Sequence, residues 1–417
     1  MSLPAYVIAS WNFDGNVNDL YSVYNGVLVN SPTYTTSTYT GYGNSLNLTS
    51  SLNQSVVIAT PFFNLSYTSF TIEIWIYPTT SLVGDKGILG QCQSSATADQ
   101  CFFMILRNGR INAGFFLNDV SGNTALSLNT WYHVAFVYDY SAGTQTLYVQ
   151  GVVDTATTGA SPYQGQNGSI TIGTTQINQP SNYFSGLIDR MTLKNRVTTA
   201  AQILQDASLV AYFSFDVSQS YDSGSLGLNA TLSNTATIAG KVGQALKFNV
   251  SSAYLQAYGF LQLGQSNQPY SIAMWVNPTS IQGGSLLHIS TNSLGTGWCI
   301  DIMGLTYTGQ IVTSTYLSGN FPGIIGPFLT VGQWVHVAMT YSTTYGVQQY
   351  INGVLYAATG AISYTASNAI NYINIGWNFN SCGTGAVSGG SFQGSVDEVQ
   401  VYRRELSSSE VSSLANP

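Results

Sequence analysis

Acid–base and nucleophilic chemistry needs carboxylates, histidines or thiols brought together in pairs, and this chain is poor in all of them. It has four glutamates (Glu73, Glu398, Glu405, Glu410), three histidines (His133, His288, His336) and four cysteines. Glycoside hydrolysis uses two carboxylates about 5–10 Å apart. No glutamate here has a second carboxylate at an alternate position of its strand. Glu73 meets Ala273 at the corresponding place 200 residues on, and Asp301 has no acidic neighbour. His133 and His336 both stand in Trp-x-His-Val-Ala. A histidine kept at one strand position in two repeats reads as structural rather than as a base or metal ligand.

The cysteines divide one pair to each half. Cys92 and Cys101 bound eight residues that read as a hairpin loop, and a bridge there would pin its ends, contributing about 2–3 kcal/mol. Cys299 stands where Cys101 does, so its partner would be Cys382, far along the chain. An even count favours the disulfides Cys92–Cys101 and Cys299–Cys382 and an oxidising compartment, with four buried free thiols as the alternative. No spacing resembles a zinc site. Trp298 and Trp377 occur only in the second half, where the first has Gln100 and Thr174. Sugar rings stack on aromatic faces flanked by amides. Trp377 with Asn378 and Asn380, and then Trp298, are therefore the candidate ligand-binding residues. The competing reading is a loop aromatic covering the Cys382 bridge.

The whole chain repeats. Phe70–Pro78 returns as Tyr270–Pro278, Trp131-Tyr132-His133-Val134-Ala135 as Trp334-Val335-His336-Val337-Ala338, and Phe184–Asp189 as Phe392–Asp397. Trp11-Asn12-Phe13-Asp14 returns as Phe213-Ser214-Phe215-Asp216. Landmarks in one order at an offset near 200 residues mean two whole domains, 1–207 and 208–417, with almost no linker. Both close on short helical stretches, near Thr198–Gln205 and Leu406–Val411. Between landmarks the pattern is two-residue alternation, as in Phe70, Ile72, Ile74 and Ile76, with Asn352-Gly353 and Gln150-Gly151 as hairpin turns. The expected fold class is all-β: two tandem jelly-roll sandwiches.

Charged residues make up only 6% of the chain, where a typical domain has about 25%. The surface must be Ser, Thr, Asn, Gln, Gly and Tyr, which suits a secreted or cell-surface setting. Net charge is −7, and the ten Lys and Arg form no stripe. Nucleic acid as a partner is thereby excluded, as is binding to an anionic membrane. No apolar run is long enough for membrane insertion. Met1–Tyr6 does not read as a signal peptide, so a leader would have been removed or the chain is part of something longer. Six sequons, at Asn47, Asn53, Asn64, Asn167, Asn229 and Asn249, permit N-glycosylation.

The ordered set of Phe-Asp, Ile-x-x-Trp-Val-x-Pro, Trp-x-His-Val-Ala, Asn-Gly and Phe-x-Gly-x-Ile-Asp resembles the laminin G-like branch of the concanavalin A-like lectin/glucanase superfamily. The closing Val396-Asp397-Glu398-Val399 and Arg404-Glu405-Leu406 fit well; in copy one Arg190 follows Asp189 where the pattern has Glu. The resemblance implies two facing antiparallel sheets in each domain. It also implies a structural calcium at the rim, held by Asp14 with Asp189 and by Asp216 with Asp397. Asp19 and Asp222 are possible contributors, and copy two is the better preserved. Glycosidases of the superfamily carry Glu-x-Asp-x-x-Glu on one strand, which is missing here. The expected function is a non-catalytic extracellular binding or adhesion module recognising glycans or glycoproteins. The alternative is a structural building block that associates with copies of itself in a fibre, coat or matrix; a glycosidase comes a distant third.

Overall fold

The computed structural model describes residues 7–177, 182–224, 227–380, 382 and 385–417. It divides into two compact units, one of Met1–Tyr39 and Gly43–Ala207, the other of Thr40–Tyr42 and Ser208–Pro417. Each unit holds an eight-stranded and a seven-stranded sheet.

In unit one the larger sheet runs Thr33–Thr35, Ser45–Leu48, Gly186–Lys194, Phe70–Pro78, Tyr132–Asp139, Thr144–Val149, Val152–Thr158, with Val7–Trp11 also on Gly186–Lys194. The smaller runs Val27–Val29, Ser55–Ile58, Ile170–Ile172, Asp85–Cys92, Cys101–Arg107, Arg110–Phe115, Asn118–Ser121. Unit two repeats both orders. Its larger sheet is Thr235–Ala239, Gln244–Phe248, Gly394–Tyr402, Tyr270–Pro278, Val335–Ser342, Gly346–Ile351, Val354–Ala358, with Leu209–Phe213 added. Its smaller sheet is Thr231–Ser233, Tyr254–Phe260, Asn371–Ile375, Gly284–Ser290, Cys299–Leu305, Gln310–Ser314, Gly323–Phe328. The alternation explains the core of unit one: Phe70, Ile72, Ile74 and Ile76 meet Phe102, Phe115 and Phe136 between the sheets.

The opposite faces of these central strands are buried as well, which alternation alone does not foretell. Thr71, Glu73, Trp75 and His133 are all shielded from water. The helix Ala200–Ser208 lays Ile203 on Ala135, Val137 and Tyr148, and Tyr39 stacks on Trp75 at 4.0 Å. In unit two Val411, from the helix Ser408–Leu414, joins Ala273, Ala338, Tyr350 and Tyr402. Ser407 and Glu410 form a capping box on that helix. The hairpin turns press against these helices. Gln150 and Gly151 have φ of 53° and 77°, and Asn352 and Gly353 have 50° and 79°. A Cβ on Gly151 would sit 2.9 Å from Ala207, and one on Gly353 2.9 Å from Ala415. Glycine is needed there for both conformation and space.

The buried outer face is solved differently in the two units. In unit one Lys194 Nζ lies 2.6 Å from Glu73 Oε1, Asp206 closes the other side of the lysine, and His133 Nε2 is 3.3 Å from Glu73 Oε2. Burial works to raise the Glu73 carboxyl, but the His133 hydrogen bond and the Lys194 charge outweigh it and hold the group below its usual range. Unit two has Ala273 and Tyr402 at the Glu73 and Lys194 positions, and no charge is needed. His336 therefore has no carboxylate beside it. It packs edge-on against Trp275 at 5.4 Å, and burial pushes its pKa down to about 4.

Two outcomes follow from this exchange. Lys194→Ala strands a buried carboxylate, so unit one is expected to lose about 3–5 kcal/mol, while E73A/K194Y, the unit-two arrangement, recovers most of it. Urea midpoints measure both, and an unchanged midpoint for K194A would show that Glu73 reaches water. The second outcome concerns acid. The folded His336 pKa of about 4 lies below the unfolded value of about 6.5, so the unfolded chain protonates first as pH falls. The His336 contribution to unit-two stability is expected to be lost between about pH 6.5 and 4, while the raised Asp397 carboxyl works in the opposite direction over the same range. The stability difference between the parent and His336→Gln is therefore expected to shift against the parent as pH falls through that window, and equal slopes for the two proteins would count against it.

Candidate functional site

The chemistry-bearing residues of unit two gather on its smaller sheet. Strand pairing sets His288 opposite Asp301, and both are fully buried. His288 Nδ1 lies 2.9 Å from Asp301 Oδ1, and Nε2 lies 3.0 Å from the Gly295 carbonyl. Ser285 Oγ donates to Asp301 Oδ1 at 2.7 Å, and Asn378 Nδ2 to Asp301 Oδ2 at 2.9 Å. A serine, a histidine and an aspartate thus meet, but in the wrong order for catalysis. The serine donates to the carboxylate, and both ring nitrogens of the histidine face other acceptors. Nucleophilic activation requires the serine on the base and open to substrate. What the network does instead is anchor the loop after Asn371–Ile375 to the sheet. In unit one the pair Gly90 and Phe103 takes the place of His288 and Asp301, within an apolar cluster of Cys92, Cys101, Phe103, Ile105 and Ile177.

The structure joins Cys92 to Cys101 and Cys299 to Cys382, with Cα–Cα separations of 4.0 and 6.0 Å. The second bridge ties the same loop to Cys299–Leu305. His288, Cys299 and Cys382 bring a nitrogen and two sulfurs within 4.8 Å of one another. The two sulfurs are bonded to each other, so the group is no metal site in this state.

The loop held in this way carries Trp377. Its ring packs 4.5 Å from Phe379 and 6.1 Å from Tyr254, and Tyr254 lies 4.9 Å from Phe379. All three rings are half-buried, and Asn380 beside them is exposed. Of the residues read from sequence as ligand-binding, Trp377 and Asn380 reach this surface. Asn378 is buried, its Nδ2 on Asp301 and its Oδ1 accepting from the amides of Asn380 and Gly390. Trp298 lies edge-on to Tyr316 and Tyr364 at 5.8 and 6.1 Å, with Nε1 buried and unpartnered. Sequence reasoning missed Tyr254 and Phe379. The signal for Tyr254 was present in Tyr254-x-Gln256-x-Tyr258, alternating with the apolar Leu255 and Ala257.

The four rim aspartates fall into two matching sets. Asp14 and Asp216 are exposed, and Asp189 and Asp397 are buried. Asp14 Oδ1 accepts from the Asn44 amide and Asp216 Oδ1 from the Gln244 amide, each at 2.7 Å. Asp397 accepts from the Val242 and Glu398 amides. Burial, opposed by Arg190 and aided by the Asp14 charge, pushes Asp189 up to about 8. Burial likewise pushes Asp397 up to about 6. Beside these carboxylates, Asn12 Oδ1 and Glu398 Oε1 are buried with no hydrogen-bond partner. Phe13 and Phe215, and Arg190 and Glu398, take positive φ at equivalent places in both units. In unit two the all-oxygen donor set, with buried Asp397 and the orphaned Glu398 oxygen, fits a hard cation such as calcium. In unit one Arg190 stands at the Glu398 position with its charge beside Asp189, and the fit is poorer. Asp19 and Asp222 do not add to it. Asp19 accepts from Ser10, Val23 and Tyr24 amides, and Asp222 from Tyr212, Gly224 and Leu228 amides. Each is consumed in holding a turn. Of the sequon asparagines, Asn53, Asn64, Asn167, Asn229 and Asn249 are exposed and Asn47 is half-buried.

Among the described residues no helix is long and apolar enough to cross a membrane. No match was found among curated proteins. Among solved structures, domain 4 of AbnA, a GH43 extracellular arabinanase from Geobacillus stearothermophilus in complex with arabinotriose, is similar at 21% identity. It covers 50% of this chain and 98% of that one, with a TM-score of 0.35. Mouse laminin alpha1 domains LG4-5 align at 14% identity over 98% of this chain and 94% of that one, with a TM-score of 0.28. The CBM40 of Ruminococcus gnavus IT-sialidase aligns at 17% over 33% and 82%, with a TM-score of 0.29. A laminin G family model, described as the concanavalin A-like lectin/glucanases superfamily, matches residues 50–204 and 249–412, most of the chain. The chain therefore belongs to the concanavalin A-like lectin/glucanase superfamily, as a tandem pair of laminin G-like domains.

Proposed function

We propose that this protein is a non-catalytic, extracellular binding and adhesion module that recognises glycans or glycoproteins through unit two. One observation carries the reading: the half-buried rings of Tyr254, Trp377 and Phe379 beside the exposed Asn380. Leu255 faces Ile375 as Val56 faces Ile172, so the places of Tyr254 and Trp377 fall to Ser55 and Thr174 in unit one. Packing residues are common to both units, whereas this surface belongs to one, as expected where loops diverge toward binding. The two disulfides and the scarcity of charge support an extracellular setting. The inverted, buried Ser285–Asp301–His288 wiring and the use of Glu73 in packing support a non-catalytic role.

Trp377→Ala is expected to weaken glycan binding by about tenfold or more. The melting temperature of unit two should move by only a few degrees. A glycan array followed by titration calorimetry measures the first, and calorimetric melting the second. A variant that unfolds unit two, or that binds as the parent does, would remove Trp377 from the site.

Calcium in this reading is structural, held by Asp14 and Asp189 in unit one and by Asp216 and Asp397 in unit two. A ligand that binds only the folded state raises the melting temperature by mass action. Excess calcium is expected to raise it above the value in chelator, with D189N losing the rise of unit one and D397N that of unit two. Equal melting temperatures in calcium and chelator would sink both sites.

A further inference from the structure

The aromatic cluster of unit two is one end of a longer row. Along Tyr254–Phe260, Leu255 and Ala257 are buried in the core, so Tyr254, Gln256 and Tyr258 take the other face. The neighbouring strand places Tyr372 opposite Tyr258 and Asn374 opposite Gln256. The Tyr258 and Tyr372 rings lie 4.6 Å apart, and Gln256 Nε2 donates both to Asn374 Oδ1 and to the Ser293 carbonyl, each at 2.7 Å, which leaves Gln256 Oε1 for a ligand. The row therefore has an aromatic platform at each end and an amide pair between them. Asn374 Nδ2, in the middle, is buried with no hydrogen-bond partner. Tyr254 and Tyr258 are four residues apart on one strand, about 13 Å at roughly 3.3 Å per residue. That is longer than a single sugar ring.

Charge narrows the ligand further. Unit two has four cationic side chains: Lys241, Lys247, Arg403 and Arg404. Lys247 lies on Gln244–Phe248, Lys241 just before that strand, and the two arginines just after Gly394–Tyr402, all belonging to the larger sheet. None stands in the row. Sulfated or carboxylated sugars are held by guanidinium and ammonium groups, so this face suits an uncharged one.

We propose that the row Tyr254–Gln256–Tyr258, completed by Tyr372 and Trp377, binds a neutral linear oligosaccharide lying along the strand and stacking on both platforms. The inference rests on the glycan reading above and adds the ligand's length and charge.

The test is titration calorimetry of the full chain with neutral linear gluco-, galacto- and arabino-oligosaccharides, from monosaccharide to hexasaccharide. Sialyllactose and heparin oligosaccharides serve as acidic probes. Affinity is expected to rise about tenfold once the chain is long enough to reach the second platform, and then to level off. Tyr258→Ala should abolish that rise and leave the short sugars bound as before, whereas Trp377→Ala should weaken every length. Gln256→Ala, which removes no ring, should lower affinity for the longer sugars and serves as the check should Y258A fold poorly. Affinity independent of length, or unchanged in Y258A and Q256A, would overturn the row and spare the Trp377 site. Tighter binding of the acidic probes would overturn the charge argument. Failure of every neutral oligosaccharide to bind would overturn the row, and failure of the acidic probes as well would overturn the glycan reading with it.

Discussion

The strands Phe70–Pro78 and Tyr270–Pro278 are buried on both faces, and the rest of each unit is arranged around that fact. One face meets the second sheet, as any sandwich strand does. The other must be covered by a closing helix, and any polar group trapped beneath it has to be satisfied from within the protein. Unit one traps a carboxylate and supplies Lys194 and His133 to hold it. Unit two has none at that position and fills the space with Ala273 and Tyr402. The glycine hairpins and the capped helix Ser408–Leu414 belong to the same requirement, since the turns have to pass close beneath the helices.

Much of this was legible in the residues because duplication writes the core twice. The repeated tryptophans, histidines and alternating aliphatics mark the strands shared by both units, and the closing helices follow from their caps. The binding surface was legible only in part. Trp377 stood out by lacking a counterpart, but its neighbours are spatial: Tyr254 is 123 residues earlier in the chain and meets it only because Tyr254–Phe260 pairs with Asn371–Ile375. Asn378 looked like a ligand amide from its place in a polar loop. That it is instead buried on Asp301, 77 residues away, follows from a pairing of strands that local pattern does not reveal. Asp19 and Asp222 likewise read as cation ligands until their oxygens are seen to be taken by backbone amides.

The two units therefore differ where their loops meet the smaller sheet. Unit one places Phe103 and Gly90 there, with Ile177 in the apolar cluster of Phe103, Thr175 against Gly90, and hydrogen bonds among Thr171, Thr174, Thr175 and Asn182. Unit two places Asp301 and His288 there and closes them with Asn378. The polar version fixes a loop by directed hydrogen bonds, and a fixed loop presents Trp377 and Phe379 at a defined angle to the sheet. Preorganisation of this kind reduces the ordering entropy that a binding surface must otherwise overcome.

The exchange of Glu73 and Lys194 for Ala273 and Tyr402 also constrains history. Two copies of one ancestral domain cannot move between these solutions in either order with equal ease. If the glutamate is lost first, the lysine still has Asp206 beside it and the fold tolerates the step. If the lysine is lost first, the glutamate is left with a single histidine in a dry interior. Whichever copy is the older form, the passable route runs through a protein that keeps the lysine while it lacks the glutamate.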